Sequence, residues 1–122
     1  MTRTRIKICG VTRVEDAQLA VDLGHTLEPP VPSLFSLELD TPWLRPLAGI
    51  AVETAEVSVP DTRLRERGPL LLTHQGLSGP AILRLSAWGA RPLAAANYRF
   101  PLLINWLPNL DEAAILSALG VS

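Results

Sequence analysis

The sequence predicts an α+β fold: a small, mostly antiparallel, partly open β-barrel with a crossing helix, plus an N-terminal strand-helix unit. Three observations carry this. First, about five segments read as strands that follow one another through tight connections, with helices set among them, the pattern of a sheet curling toward a barrel. Second, 122 residues can bury one real core but fall far short of the ~250 that an eightfold barrel needs. Third, hydrophobic residues make up 48% of the chain and mean hydropathy is +0.23. That is apolar for this size and favours a well-buried core, an oligomer interface or a face that meets another domain.

The elements follow in order. Ile6, Ile8 and Cys9 lie in a short apolar run that reads as a strand ending at Gly10. A helix opens near Thr12 or Arg13, with Glu15 and Asp16 in its first turn, where the helix dipole favours acids. Ala17, Ala20, Val21 and Leu23 share one face, and Gly24 is placed to cap the C-terminus. Pro29, Pro30 and Pro32 then forbid a helix and force an extended path.

"SLFSLEL" alternates apolar Phe35, Leu37 and Leu39 with Ser36 and Glu38, the mark of a half-buried strand. "PWLRPLAG" reads as a turn or a single helical turn closed by Gly49. In "IAVETAEVSV", Val52, Ala55, Val57 and Val59 oppose Glu53, Glu56 and Ser58, with a register irregularity near Thr54 that fits a bulge. "PDTRLRERG" is a polar hairpin connection, and "PLLLTH" is a continuous apolar strand expected to be buried on both faces. Ser78 is the expected N-cap of a second helix, with Pro80 in its first turn, Ile82, Leu83 and Leu85 on its apolar stripe and Gly89 at its end. "RPLAAAN" reads as a loop, "YRFPLLINWL" as a strand and "LDEAAILSALG" as a terminal helix with Asp111 and Glu112 in its first turn.

"KICGVTRVEDAQLAVDLG", Lys7 to Gly24, resembles the N-terminus of phosphoribosylanthranilate isomerase, a (β/α) barrel enzyme of tryptophan biosynthesis. The resemblance implies that Cys9 matches the family's general base. The family's general acid and phosphate loops lie on segments with no counterpart in this sequence. From His25 onward the text resembles another family. "GHTLEPPVPSLFSLELDTPWLRPLAGIAV", "LLLTHQGLSGPAILRLS" and "INWLPNLDE" resemble successive pieces of bacterial FAD-dependent oxidoreductases related to aminoacetone oxidase and the bile-acid flavoproteins. There the resemblance implies an inserted β-barrel domain that interrupts the flavin-binding part, and the sequence holds no G-x-G-x-x-G fingerprint.

Both families run a helix to Leu-Gly at the junction, as at Leu23-Gly24 before His25. The two resemblances imply an artificial chimera forming a single domain over 1–122, with an isomerase-derived βα segment (1–24) and a flavoprotein insert-derived barrel segment (25–122). The first segment is expected to supply an added strand, or a helix packed on the barrel, as structural cover.

Candidate sites are few. Cys9 is expected to be a buried or half-buried hydrophobe, vestigial as a base, since a thiol acts only with a lowered pKa and a partner in reach. Gly76, Ser78 and Gly79 in "HQGLSGP" form a weak anion-site candidate, because glycines let backbone approach a ligand ahead of a helix start. His25 and His74 have no third ligand by spacing, so no metal is expected. A His74–Ser78 couple lacks an oriented acid. Trp43, Trp88 and Trp106 lie on separate elements with little basic charge between them, so core or interface packing is expected rather than stacking on bases.

Net charge of −1 implies no general attraction to nucleic acid or acidic membranes. No segment is long and apolar enough to span a membrane. A single cysteine suits a reducing cytoplasm. The expected function is a folded chimera with no native catalysis and no cofactor. The alternatives are residual isomerase activity through Cys9, or a self-associating or weak flavin- or anion-binding module. A homodimer, with or without strand exchange, is the expected partner.

Overall fold

The computed structural model describes residues 6–120. The chain divides into two compact units between Pro30 and Val31, later than the Gly24–His25 junction read in the sequence.

In the first unit, helix α1 spans Val14–Asp22, with Glu15 and Asp16 in its first turn as expected. Gly24 ends it at φ +96°. The His25 N–H donates to the Ala20 carbonyl (2.9 Å) and the Gly24 N–H to that of Val21 (3.0 Å), the paired bonds of a Schellman cap that a left-handed glycine permits. The strand expected at Ile6–Cys9 is not formed. A strand exists only through a ladder with a neighbour, and an apolar triplet alone gains nothing from being extended. No residue of α1 is buried. Ala17, Ala20 and Val21 instead line an open groove of about 330 Å³ together with Ile6, Ile8, Val11 and Leu27.

The second unit holds one antiparallel sheet. Its strands are β1 (Leu37–Glu38), β2 (Ala51–Ser58), β3 (Arg65–Leu72), β4 (Gly76–Ser78) and β5 (Leu103–Asn105). Their spatial order is β1-β4-β3-β2-β5. No strand comes from residues 6–9, so the added-strand form of structural cover is not realised. A six-residue 3-10 helix, Pro42–Leu47, links β1 to β2 and buries Leu44.

Strands β2 and β3 form the central hairpin. Ala55, Val57 and Val59 turn inward, and the register shifts between Val52 and Ala55, at the expected bulge. The turn is pinned by Thr62, whose hydroxyl donates to the Val59 carbonyl (2.7 Å) and accepts from the Leu64 N–H (3.0 Å). Two expectations for β3 need correction. It starts at Arg65, inside the supposed connection, because Arg65 and Arg67 both pair with Glu56 on β2 (3.2 and 3.3 Å). It is also one-sided: Leu70 and Leu72 are buried but Leu71 is 38% exposed. An antiparallel sheet covered on one face leaves the other to water.

The cover is helix α2, Pro80–Trp88, packed on β3 and β2. Ala81, Ile82 and Leu85 from α2 join Val57, Leu70 and Leu77 in the core. Arg84 ties the helix to β3 through Glu66 (3.3 Å) and the Arg67 carbonyl (2.6 Å). The N-cap is Gly79, not Ser78, which ends β4 opposite Leu71. Residues expected as a loop form helix α3, Ala90–Ala95, with Leu93 buried. Its alanines favour helix, and Pro92 sits in the first turn, where a missing N–H costs little. Asn97 and Tyr98 then take left-handed φ of +56° and +58°. That break, and Pro101, shorten the expected strand to Leu103–Asn105. Helix α4 spans Glu112–Ala118, and Asp111 precedes it as N-cap, accepting from the Ala114 N–H (2.7 Å).

Among the described residues, no helix is long and apolar enough to cross a membrane.

Candidate functional site: the open seam of the barrel

Strands β1 and β5 are the two edges of the sheet and do not pair with each other. A closed barrel would have a ladder there. Instead a cavity of about 920 Å³ opens at this seam. Glu38, Leu39, Asp40, Thr41, Trp43 and Leu44 line it from the β1 side, and Tyr98, Arg99, Phe100, Leu102, Ile104 and Trp106 from the β5 side. A second cavity of about 420 Å³ continues it, sharing Glu38, Tyr98 and Phe100 and adding Phe35.

The walls carry free aromatic surface. Trp43 is 68% exposed and Tyr98 44%. Phe35 holds Tyr98 edge-on, with ring centroids 6.0 Å apart at 82°. Trp106 and Phe100 are half-buried against the core. The polar complement is two carboxylates, Glu38 and Asp40, and one guanidinium, Arg99.

This overturns core packing for two of the tryptophans. Trp43 faces the seam, and Trp88, 77% exposed, stands at the end of α2. Only Trp106 packs on the core, and it shares the seam with Trp43. The signal was hidden because the walls come from segments far apart in sequence. Tyr98 and Arg99 followed a segment read as a loop and opened one read as a strand, neither pointing to a site.

The residues singled out by sequence fall elsewhere. Cys9 is exposed rather than buried. It precedes Gly10, which turns the chain at φ +76°, and without a strand nothing draws the thiol inward. Gly76 and Gly79 serve packing. A Cβ on Gly76 would overlap the Leu37 carbonyl, and one on Gly79 would meet the Pro69 carbonyl at 3.0 Å and the Leu71 nitrogen at 3.1 Å. The Ser78 hydroxyl accepts from that of Ser36 (2.9 Å). Ala81 and Ile82, whose amides an anion would have to reach, expose no surface. His74 lines a shallow hollow with Glu38, Arg45 and Gln75, while His25 lines the groove of the first unit. No cluster of His, Cys, Asp and Glu able to hold a metal ion occurs among the described residues.

The flavin implied by the second resemblance can be tested against this geometry. A dinucleotide cradle needs a parallel βαβ unit with an open helix N-terminus. Here the sheet is antiparallel and the α2 N-terminus is sealed against β3. The described residues do not fit an FAD site.

Comparison with known proteins agrees with the barrel reading. Residues 31–120 match a family model described as "HI0933-like protein barrel and H2TH domain", which bears out the flavoprotein-type barrel read from residue 25 onward but not the isomerase segment. The chain is also 33% identical over 104 residues to the "Ribosomal RNA dihydrouridine synthase" of Escherichia coli (strain K12), across 82% of this chain. That stretch is longer than residues 31–122 and so reaches back before Val31. The chain spans about a quarter of the length of this curated relative, 24%. On the family match, this chain belongs to the HI0933-like protein barrel and H2TH domain family.

Proposed function

We propose that residues 31–120 are the barrel module of a flavin-dependent oxidoreductase that acts on RNA, a part that grips substrate and carries no reaction chemistry. Residues 1–24 are an isomerase-derived βα piece joined to it, with no catalytic role. One observation carries the reading: the matched family segment packs a side-chain core and carries an aromatic-lined cleft at its seam. The name of the similar protein, a ribosomal RNA dihydrouridine synthase, supports RNA as the substrate class.

The first segment fits a structural rather than chemical part. Cys9 stands exposed, and the groove beside α1, whose lining mixes Ile6, Ile8 and Val21 with Lys7, His25 and Glu28, does not include it. A general base needs its acid and its substrate within hydrogen-bond reach.

Two measurements test this. Phosphoribosylanthranilate turnover is expected at background for both the protein and Cys9→Ser. Turnover that falls ~100-fold in Cys9→Ser would overturn the reading, since that is the size of a general-base effect. Mixed with FAD and passed through a desalting column, the protein is expected to emerge colourless. Retained yellow colour would show a cofactor site within the chain.

A further inference from the structure

We propose that the seam cleft takes a single unpaired nucleobase of single-stranded RNA, stacked between Trp43 and Tyr98, with one flanking phosphate held by Arg99. This rests on the reading of residues 31–120 as a substrate-gripping module and names what the cleft grips.

The lining decides the ligand class. Stacking needs an aromatic face that water still covers, and Trp43 and Tyr98 both keep exposed surface in the lining of the same cavity. Tyr98 is held for this task, pinned by Phe35 and fixed in a left-handed backbone whose N–H donates to the Leu93 carbonyl (2.8 Å). The charges then exclude a duplex. Two carboxylates, Glu38 and Asp40, sit opposite one guanidinium. A phosphate backbone laid along the cleft would meet net repulsion, whereas a neutral base can present its N–H groups to those carboxylates. Only Arg99 is left to pair with a phosphate in the cleft. Sequence reading expected no nucleic-acid partner because the tryptophans looked scattered and basic charge was sparse. The fold unites two of those tryptophans, and the sparse charge becomes a specification: one phosphate, not many.

The test is a fluorescence titration of the full chain with a short oligouridylate. Saturable quenching is expected. Trp43→Ala and Tyr98→Asn should each weaken binding roughly ten-fold or more, as expected for loss of a stacking face. Asparagine is chosen because it tolerates the left-handed backbone at this position. Trp88→Phe, outside the cleft, should bind as the parent does. The slope of log K against log salt should be about −0.7, the release from one phosphate of a single strand, and Arg99→Gln should flatten it. The proposal fails if quenching does not saturate, or if Trp88→Phe weakens binding as Trp43→Ala does. It also fails if a duplex of equal length binds as tightly. A slope several times steeper would mean general backbone attraction and would also overturn it. Such a failure is distinguishable from failure of the module reading, whose claim that the chain carries no reaction chemistry is decided separately by isomerase turnover and flavin retention.

Discussion

The Phe35 N–H donates to the Ser86 hydroxyl (2.9 Å), joining the extended lead-in to β1 with the core face of α2 across 51 residues of sequence. Ser86 is only 1% exposed, and its hydroxyl donates in turn to the Leu83 carbonyl (2.8 Å). Ser86→Ala should therefore strand the Phe35 amide without a partner. A loss of about 1–3 kcal/mol is expected, the desolvation cost of an orphaned donor. Urea unfolding at constant slope measures it, and a loss under ~0.5 kcal/mol would mean that water reaches the Phe35 amide instead.

Gly79→Ala tests whether the glycine loop exists for packing. The residue sits at φ +101°, and a new methyl would press on the backbone of Pro69 and Leu71. Left-handed strain and backbone overlap should together cost about 1–3 kcal/mol. A thermal melt reads the change. An anion-binding role predicts a different result: sulfate should then stabilise the parent more than the variant. No sulfate difference is expected, since the helix start behind Gly79 is sealed.

Glu56→Gln tests the ion pairs that carry β3 beyond the apolar run. Glu56 is 18% exposed and bridges Arg65 and Arg67, which are 71% and 52% exposed. Exposed partners are screened, so removing the carboxylate charge should cost only about 0.5–1 kcal/mol, and less at high salt. The salt dependence of the unfolding midpoint is the check. Equal destabilisation in 50 mM and 1 M salt would mean that Glu56 acts by packing.

The alternating segments were legible because burial has a period of two in a strand. Val57 and Val59 inward, Glu56 and Ser58 outward, and a slip near Thr54 all follow from residue type. What failed did so through partners that sequence does not display. Ile6–Cys9 looked like a strand but lacks a neighbour to pair with. Arg65–Gly68 looked like a turn but is held in the sheet by Glu56 across the hairpin. The alanines of α3 outweighed the proline among them. The seam cleft was least legible, since Trp43 and Tyr98 come to line one cavity only when the sheet curls and stops short of closing.

Cys9→Ser bears on the reading of the first segment as structure. An exposed thiol on a turn before Gly10 makes no packing contribution that an isosteric hydroxyl would lose. Stability should stay within about 0.5 kcal/mol of the parent, the range for surface substitutions. The same exposure gives a direct chemical readout. With Ellman's reagent under native conditions, the parent should release one equivalent of chromophore as fast as the urea-unfolded protein does. Protection by an order of magnitude or more would place the sulfur inside a packed interior, and Cys9→Ser would then be expected to destabilise by burying a hydroxyl without a partner. Fast labelling together with unchanged stability would leave the thiol as a surface group.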